Sequence, residues 1–134
     1  MDGNGTWNES ERSSVDKKWL DEKIASEKME ASRRWTTYRK GRSNLDLKCK
    51  TVIIVDDGIA TGLTMKAAVG YAKNRGAEKV VVAVPVASAE ALRALRDTAE
   101  VFVLETPIFF SAVGEWYKEF PQVSDEEVIK ILSN

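Results

Sequence analysis

Two short β-branched runs constrain this chain more than any other feature. Val52 to Val55 reads VIIV, and Val80 to Val86 reads VVVAVPV, stopped at or near Pro85. Continuous apolar runs of this length suit strands buried on both faces, as in parallel sheets. They are far too short to span a bilayer. Between them, Thr64 to Asn74 has helical spacing and ends before Gly76, a suitable C-cap. Ser88 is placed to cap a helix running to about Arg96, with Glu90 close behind, and Val101 to Leu104 reads as a third strand. Strand and helix in alternation predict βαβ units, a parallel sheet and right-handed crossovers.

The flanks are simpler. Residues 1–13 are polar and rich in Gly, Asn and Ser, and are expected to be loose. Trp19, Leu20, Ile24, Met29, Trp35 and Tyr38 recur near helical spacing, which predicts a helix over 15–38 with Ser13 and Asp16 as a capping pair. KGRSN, Lys40 to Asn44, reads as a turn. Ser124 should cap a last helix from Asp125 to Leu132, whose acidic first turn suits the helix dipole. A length of 134 residues suits one domain: a flexible 1–13, a helical 14–44 and an α/β core over 45–134.

Composition excludes several chemistries. Histidine is absent, so there is no histidine base, no Ser-His-Asp triad and no histidine-bound metal. Cys49 is the single cysteine, which precludes an internal disulfide and a cysteine zinc site. It is expected to be buried or half-buried. A cytoplasmic, reducing setting fits, and any metal should be a hard cation such as magnesium on oxygen ligands. The net charge of −1 gives no global reason to expect nucleic acid. The opening MDGNGTWNES lacks the basic start and apolar core of a signal peptide, and no membrane association is expected.

The chemistry concentrates where the first strand ends. Asp56 and Asp57 fall at its carboxyl end, where open α/β sheets bind ligands. Gly58 and Gly62 let the following loop turn tightly and bring its N–H groups near a ligand. Free N–H groups at a helix start favour an anion, and Thr61 and Thr64 add hydroxyls. The glycine spacing is wrong for a Walker loop, and no lysine precedes the terminal threonine; G-x-G-x-x-G is missing too. A loop for one phosphate beside two carboxylates suggests a sugar phosphate. The loop takes the phosphate, and the acids accept hydrogen bonds from vicinal hydroxyls.

Four apolar residues, two acids and A-T-G-x-T, here VIIVDDGIATGLT, resemble the signature of the type I phosphoribosyltransferases. The chain also resembles prokaryotic phosphoribosyltransferase-like proteins in EASRRWTTYRKGR, VVVAVPVAS and PIFFSAVGEWYKEFPQVSDEEV. The resemblance implies a flavodoxin-like parallel α/β sheet and a 5-phosphoribosyl-1-pyrophosphate ligand. It implies that Asp56 and Asp57 hold the ribose hydroxyls. Gly58 belongs to the same turn, and Ala60, Thr61, Gly62, Leu63 and Thr64 would wrap the 5-phosphate. It further implies magnesium, water-mediated at Asp56 and Asp57, and phosphoribosyl transfer to a nitrogen acceptor. Ala60 stands where 6-oxopurine enzymes carry an aspartate, which disfavours hypoxanthine and guanine as acceptors.

Family members usually have an earlier strand, helix and pyrophosphate loop. Residues 1–50 read as mostly helical and polar, with no such loop, so the chain resembles an N-terminally shortened member, a fragment or a partner-completed form. Two rivals to the enzyme follow: a regulatory module that binds ribose phosphate without turnover, and a receiver-like domain whose acids hold magnesium. The receiver leaves the phosphate loop without a role.

Other clusters have blander readings. Arg33, Arg34, Arg39, Lys40 and Arg42 are a candidate pyrophosphate cluster, or a solvated helix face paired with Glu27 and Glu30. Phe109, Phe110, Trp116, Tyr117 and Phe120 are a candidate base-stacking patch, or core packing under a loop. Glu115 is a weak candidate for a metal-bound water. Trp7, Trp19 and Trp35 are expected at the surface, which favours a homo-oligomer.

Overall fold

A computed structural model of the chain describes residues 16–39 and 45–133. The chain divides into two compact units, and of the described residues 45–120 belong to one and 16–39 with 121–133 to the other.

The first unit is an open parallel α/β sheet, as the alternating pattern predicts. Strand β1 (Thr51–Val55) is followed by helix α2 (Leu63–Asn74), strand β2 (Lys79–Val86), helix α3 (Ala89–Leu95) and strand β3 (Glu100–Glu105). The sheet order is β1-β2-β3, with Ile54 opposite Val82 and Val82 opposite Val101. Strand β2 runs through Pro85 rather than stopping there. The β1 pairing ends at Ala83, so Pro85 stands beyond it and its missing N–H removes no bond to β1.

Helix α2 ends as its glycine predicts. Gly76 adopts φ 81°, its N–H donates to the Lys73 carbonyl at 2.9 Å, and the Ala77 N–H donates to Ala72 at 3.1 Å. This is a Schellman closure, cheap only for a residue without a Cβ. Met65, Val69 and Ala72 of α2 and Ala91 and Leu95 of α3 pack with Val80, Val82 and Val84 in one buried cluster. Val52, Ile54, Val101 and Val103 border it.

The outer strands are not buried on both faces. Ile53 and Val55 are 64% and 72% exposed, and Phe102 and Leu104 are 57% and 85% exposed. The cause is the strand order. Consecutive strands joined by crossovers of one hand carry both helices on the same face. Side chains alternate along a strand, so the even-numbered residues of β1 and β2 meet those helices and Ile53 and Val55 point away.

Cys49 also departs from expectation. It is exposed, in a turn at φ 54°, with its N–H donating to the Gly76 carbonyl at 2.9 Å.

In the second unit, helix α1 (Lys17–Arg39) starts at Asp16, whose carboxylate accepts from the Trp19 N–H at 2.9 Å. Ser13 lies outside the described residues. Helix α4 (Asp125–Leu132) begins in a capping box: the Ser124 hydroxyl accepts from the Glu127 N–H, and the Glu127 carboxylate accepts from the Ser124 N–H. Arg33 reaches Asp125 at 2.6 Å, and Tyr38 donates to the same carboxylate at 2.5 Å. Trp19 and Trp35 are exposed, as expected, and Trp7 lies outside the described residues.

Candidate functional site

Strand β1 delivers Asp56 and Asp57 to the carboxyl end of the sheet, and both side chains are exposed there. The Asp57 N–H donates to Asp56 Oδ1 at 3.0 Å. Partial burial pushes the Asp56 carboxyl above the usual aspartate range, and the neighbouring Asp57 charge adds to the rise. The Asp57 N–H opposes it by bonding the charged form. An acid pair with one member penalised for its charge suits a partner that brings hydrogen-bond donors, such as sugar hydroxyls.

The chain then crosses back over the end of β2. Ile59 is buried and bridges to Ala87: its N–H donates to the Val86 carbonyl at 3.0 Å, and the Ser88 N–H donates to the Ile59 carbonyl at 2.9 Å. Gly58 fits because nothing larger can. A Cβ there would lie 2.7 Å from Val113 Cγ1 and 2.9 Å from Val86 Cγ1. Ala60 is exposed, but its carbonyl accepts from the Ser88 hydroxyl at 2.5 Å.

Gly62 ends the loop in the left-handed region at φ 79° and is the N-cap of α2. A Cβ on it would sit 3.3 Å from Ala91 Cα. Gly62 offers no side-chain cap to this helix start, and the first N–H groups of a helix lack intrahelical partners and lie at the positive end of its dipole. Thr61 and Thr64 are exposed beside it, and Leu63 is half-buried. The eight predicted residues thus form one continuous turn, with acids at one end and a bare helix N-terminus at the other.

Three residues hold this turn in a role that no local pattern signals. Ser88 does two jobs, accepting from the Ala91 N–H at 2.9 Å as the cap of α3 while donating to Ala60. Tyr117 donates from its hydroxyl to the Asp57 carbonyl at 2.6 Å. Val113, in the 3-10 turn Val113–Trp116, packs against Gly58. All three lie in the segments VVVAVPVAS and SAVGEWYKEF, which the sequence singled out without giving them this role.

The other clusters resolve differently. Arg33 and Arg34 bond Glu30, each at 2.7 Å, and Glu27 pairs with Lys23 instead. The two guanidiniums hold the Glu30 carboxyl down at about 2. Arg39 stacks over Trp35 at 4.8 Å, and Lys40 and Arg42 lie outside the described residues. The aromatic patch is not core packing throughout. Phe109 is 88% exposed, whereas Tyr117 and Phe120 stack at 5.0 Å and Phe120 lies against Gly114.

No group of three metal-ligating side chains occurs among the described residues. Two adjacent carboxylates still match magnesium, which binds one or two acids, keeps several waters and takes the rest from substrate phosphates. No described helix is long and apolar enough to cross a membrane. A shallow cleft of about 270 Å³ between Leu92, Arg96, Ala99, Val101 and Val103 shares no residue with the acid turn.

The family model for the phosphoribosyl transferase domain matches residues 9–119. Two Mycobacterium tuberculosis proteins, from strains CDC 1551 / Oshkosh and H37Rv, are each 45% identical over 105 residues. Both bear names that assign them provisionally to the phosphoribosyl transferases. The match covers 78% of this chain and 24% of each relative, so the chain spans about a quarter of their length. The crystal structure of TT1426 from Thermus thermophilus superposes with a TM-score of 0.75 at 42% identity, covering 88% of this chain and 57% of that one. With a family model over most of its length and the fold shared with a solved relative, this chain belongs to the phosphoribosyl transferase domain family.

Proposed function

We propose that the turn from Asp56 to Thr64 binds the ribose 5-phosphate part of 5-phosphoribosyl-1-pyrophosphate, and that the protein transfers the phosphoribosyl group to a nitrogen acceptor. The observation that carries this reading is the pairing, on one turn, of an acid pair with an uncapped helix N-terminus. The helix start supplies N–H donors to a phosphate dianion, and Thr61 and Thr64 add hydroxyls. Asp56 and Asp57 accept from the 2- and 3-hydroxyls. Anion and acids are thereby kept at opposite ends, which answers their mutual repulsion.

In the reaction the bond from C1 to pyrophosphate oxygen breaks, the electron pair leaves with pyrophosphate, and the acceptor nitrogen bonds to C1 and gives up its proton to water. The acids anchor the ribose while positive charge develops at its C1, and the loop fixes the far end of the sugar. Asp56 and Asp57 would hold magnesium through its waters, and the chemistry the ion supplies is neutralisation of the pyrophosphate charge. Ala60, with no acid to meet a purine N7 proton, argues against 6-oxopurine acceptors.

Titration calorimetry with phosphoribosyl pyrophosphate, with and without magnesium, tests binding, and pyrophosphate release over purines, pyrimidines and orotate tests turnover. Asp57→Ala should weaken ribose-phosphate affinity by roughly 1–3 kcal/mol through lost charged hydrogen bonds. An unchanged affinity counts against the assignment. One observation favours a binding module without turnover: Arg33 and Arg34, candidates for pyrophosphate, are engaged by Glu30 and Asp125. Tight binding with no pyrophosphate released would select that reading.

A further inference from the structure

The segment after β3 touches the acid turn at two points. The Tyr117 hydroxyl donates to the Asp57 carbonyl at 2.6 Å, and Val113 fills the space where a Gly58 side chain would stand. Both contacts fall on one peptide unit. The peptide between Asp57 and Gly58 is planar and trans, so fixing the Asp57 carbonyl fixes the Gly58 N–H in the opposite direction. It also holds the Asp57 Cα, which lies in the same plane and carries the side chain. The other half of the turn is held by different means: Ile59 by Val86 and Ser88, Ala60 by the Ser88 hydroxyl, Gly62 by close approach to Ala91. The turn is therefore anchored from two sides. The phosphate end is tied to β2 and α3, while the acid end, where Gly58 also packs on Val86 of β2, gains the segment after β3 as an anchor of its own.

We propose that Tyr117 is a positioning residue for sugar recognition: through the Asp57 carbonyl it orients the acid pair toward the ribose hydroxyls and leaves the phosphate end untouched. The assignment rests on the ribose-phosphate reading of the turn. Phe120 packs on the Tyr117 ring with centroids 5.0 Å apart, so the hydroxyl is delivered from a braced aromatic. Tyr117 touches no substrate in this scheme. It acts through the backbone of Asp57.

The test compares two probes on the full chain. Ribose 5-phosphate reads both halves of the turn, and inorganic phosphate reads the phosphate half alone. Tyr117→Phe removes the hydroxyl and keeps the ring. It should raise the dissociation constant for ribose 5-phosphate roughly 3- to 10-fold, the worth of one hydrogen bond as an equilibrium ratio. The constant for inorganic phosphate should stay within about twofold. A general loosening of the fold would weaken both probes together, and that result overturns the proposal. So does an unchanged ribose 5-phosphate affinity in Tyr117→Phe. If the wild-type chain binds inorganic phosphate but gains nothing from the ribose, the functional reading itself falls, and the proposal with it. Should Tyr117→Phe fail to fold, Phe120→Leu replaces it, because it removes the ring packed on Tyr117 and leaves the turn itself unaltered, and the same divergence between the two probes is expected.

Discussion

Ser88→Ala tests how the phosphate end of the turn is built. Ser88 is the buried polar side chain among the described residues, at 9% exposure. Its hydroxyl accepts from the Ala91 N–H at 2.9 Å and donates to the Ala60 carbonyl at 2.5 Å. Alanine deletes both bonds. Loss of an N-cap costs about 1 kcal/mol. Loss of the second bond strands a carbonyl that belongs to an exposed residue, so water can replace the donor and the cost stays near the low end, again about 1 kcal/mol. The total is about 2 kcal/mol. Ser88→Gly separates the two parts, because glycine at an N-cap gives up only a few tenths of a kcal/mol relative to serine. It should cost about 1 kcal/mol, nearly all from the Ala60 bond. Urea unfolding of the three chains at pH 7 measures this as shifts in midpoint at constant slope. Both variants should also lose affinity for inorganic phosphate, since Ala60 begins the loop that faces the anion. If Ser88→Gly unfolds at the wild-type midpoint and binds phosphate as tightly, the bridge to Ala60 has no energetic role and the account of the loop is wrong.

Gly58→Ala drives a methyl within 2.7 Å of Val113 and 2.9 Å of Val86, an overpacking expected to cost about 1–3 kcal/mol in urea unfolding; a neutral result would mean the segment after β3 yields freely. Asp56→Asn should raise stability at pH 7. The folded carboxyl holds its proton to higher pH than the unfolded one, so ionisation costs the fold stability as pH rises through the folded value, and asparagine removes that cost. Much of the group faces solvent, so screening keeps the gain on the order of a few tenths of a kcal/mol, while ribose 5-phosphate affinity falls; a pH–stability profile identical to wild type would refute the assignment. Leu104→Lys, at a position 85% exposed, should change stability by less than about 0.5 kcal/mol at micromolar concentration, and a loss above about 1 kcal/mol would show that something covers this face.

What the sequence revealed follows from the range of the interactions. Gly76, Ser88 and Ser124 were legible as helix terminators and caps because each acts within a turn of its own position. The turn from Asp56 to Thr64 was legible as a tight link from strand to helix because it is one continuous stretch. The bonds that hold it were not. Ser88 reaches Ala60 across 28 positions and Tyr117 reaches Asp57 across 60, and no local pattern encodes either. The bare sheet face was invisible for another reason. A run such as VIIV reads the same whether helices cover both sides or one, and only the order β1-β2-β3 decides. The exposed Cys49 was missed because a lone cysteine is read as a small apolar residue, whereas here it occupies a left-handed turn.

The placement of the anchors separates two parts of the proposed activity. Among the described residues, those that shape the acid turn lie within 45–120: β1 presents the acids, α2 starts at Gly62, Ser88 ties Ala60, and Tyr117 with Val113 braces Asp57 and Gly58. Those residues form one compact unit with its own buried cluster, built from α2, α3 and all three strands. The proposed ribose-phosphate recognition therefore draws, among the described residues, on that unit. Handling of pyrophosphate is a different requirement, since it calls for positive charge near C1. Arg33 and Arg34, which the sequence offered as candidates for that charge, are bonded to Glu30 and Asp125 instead. The proposed binding and the proposed transfer are therefore separable. Substitutions in the turn, such as Asp57→Ala, should weaken ribose 5-phosphate binding in a calorimetric titration whether or not the chain releases pyrophosphate, and an unchanged affinity would refute the reading of the turn.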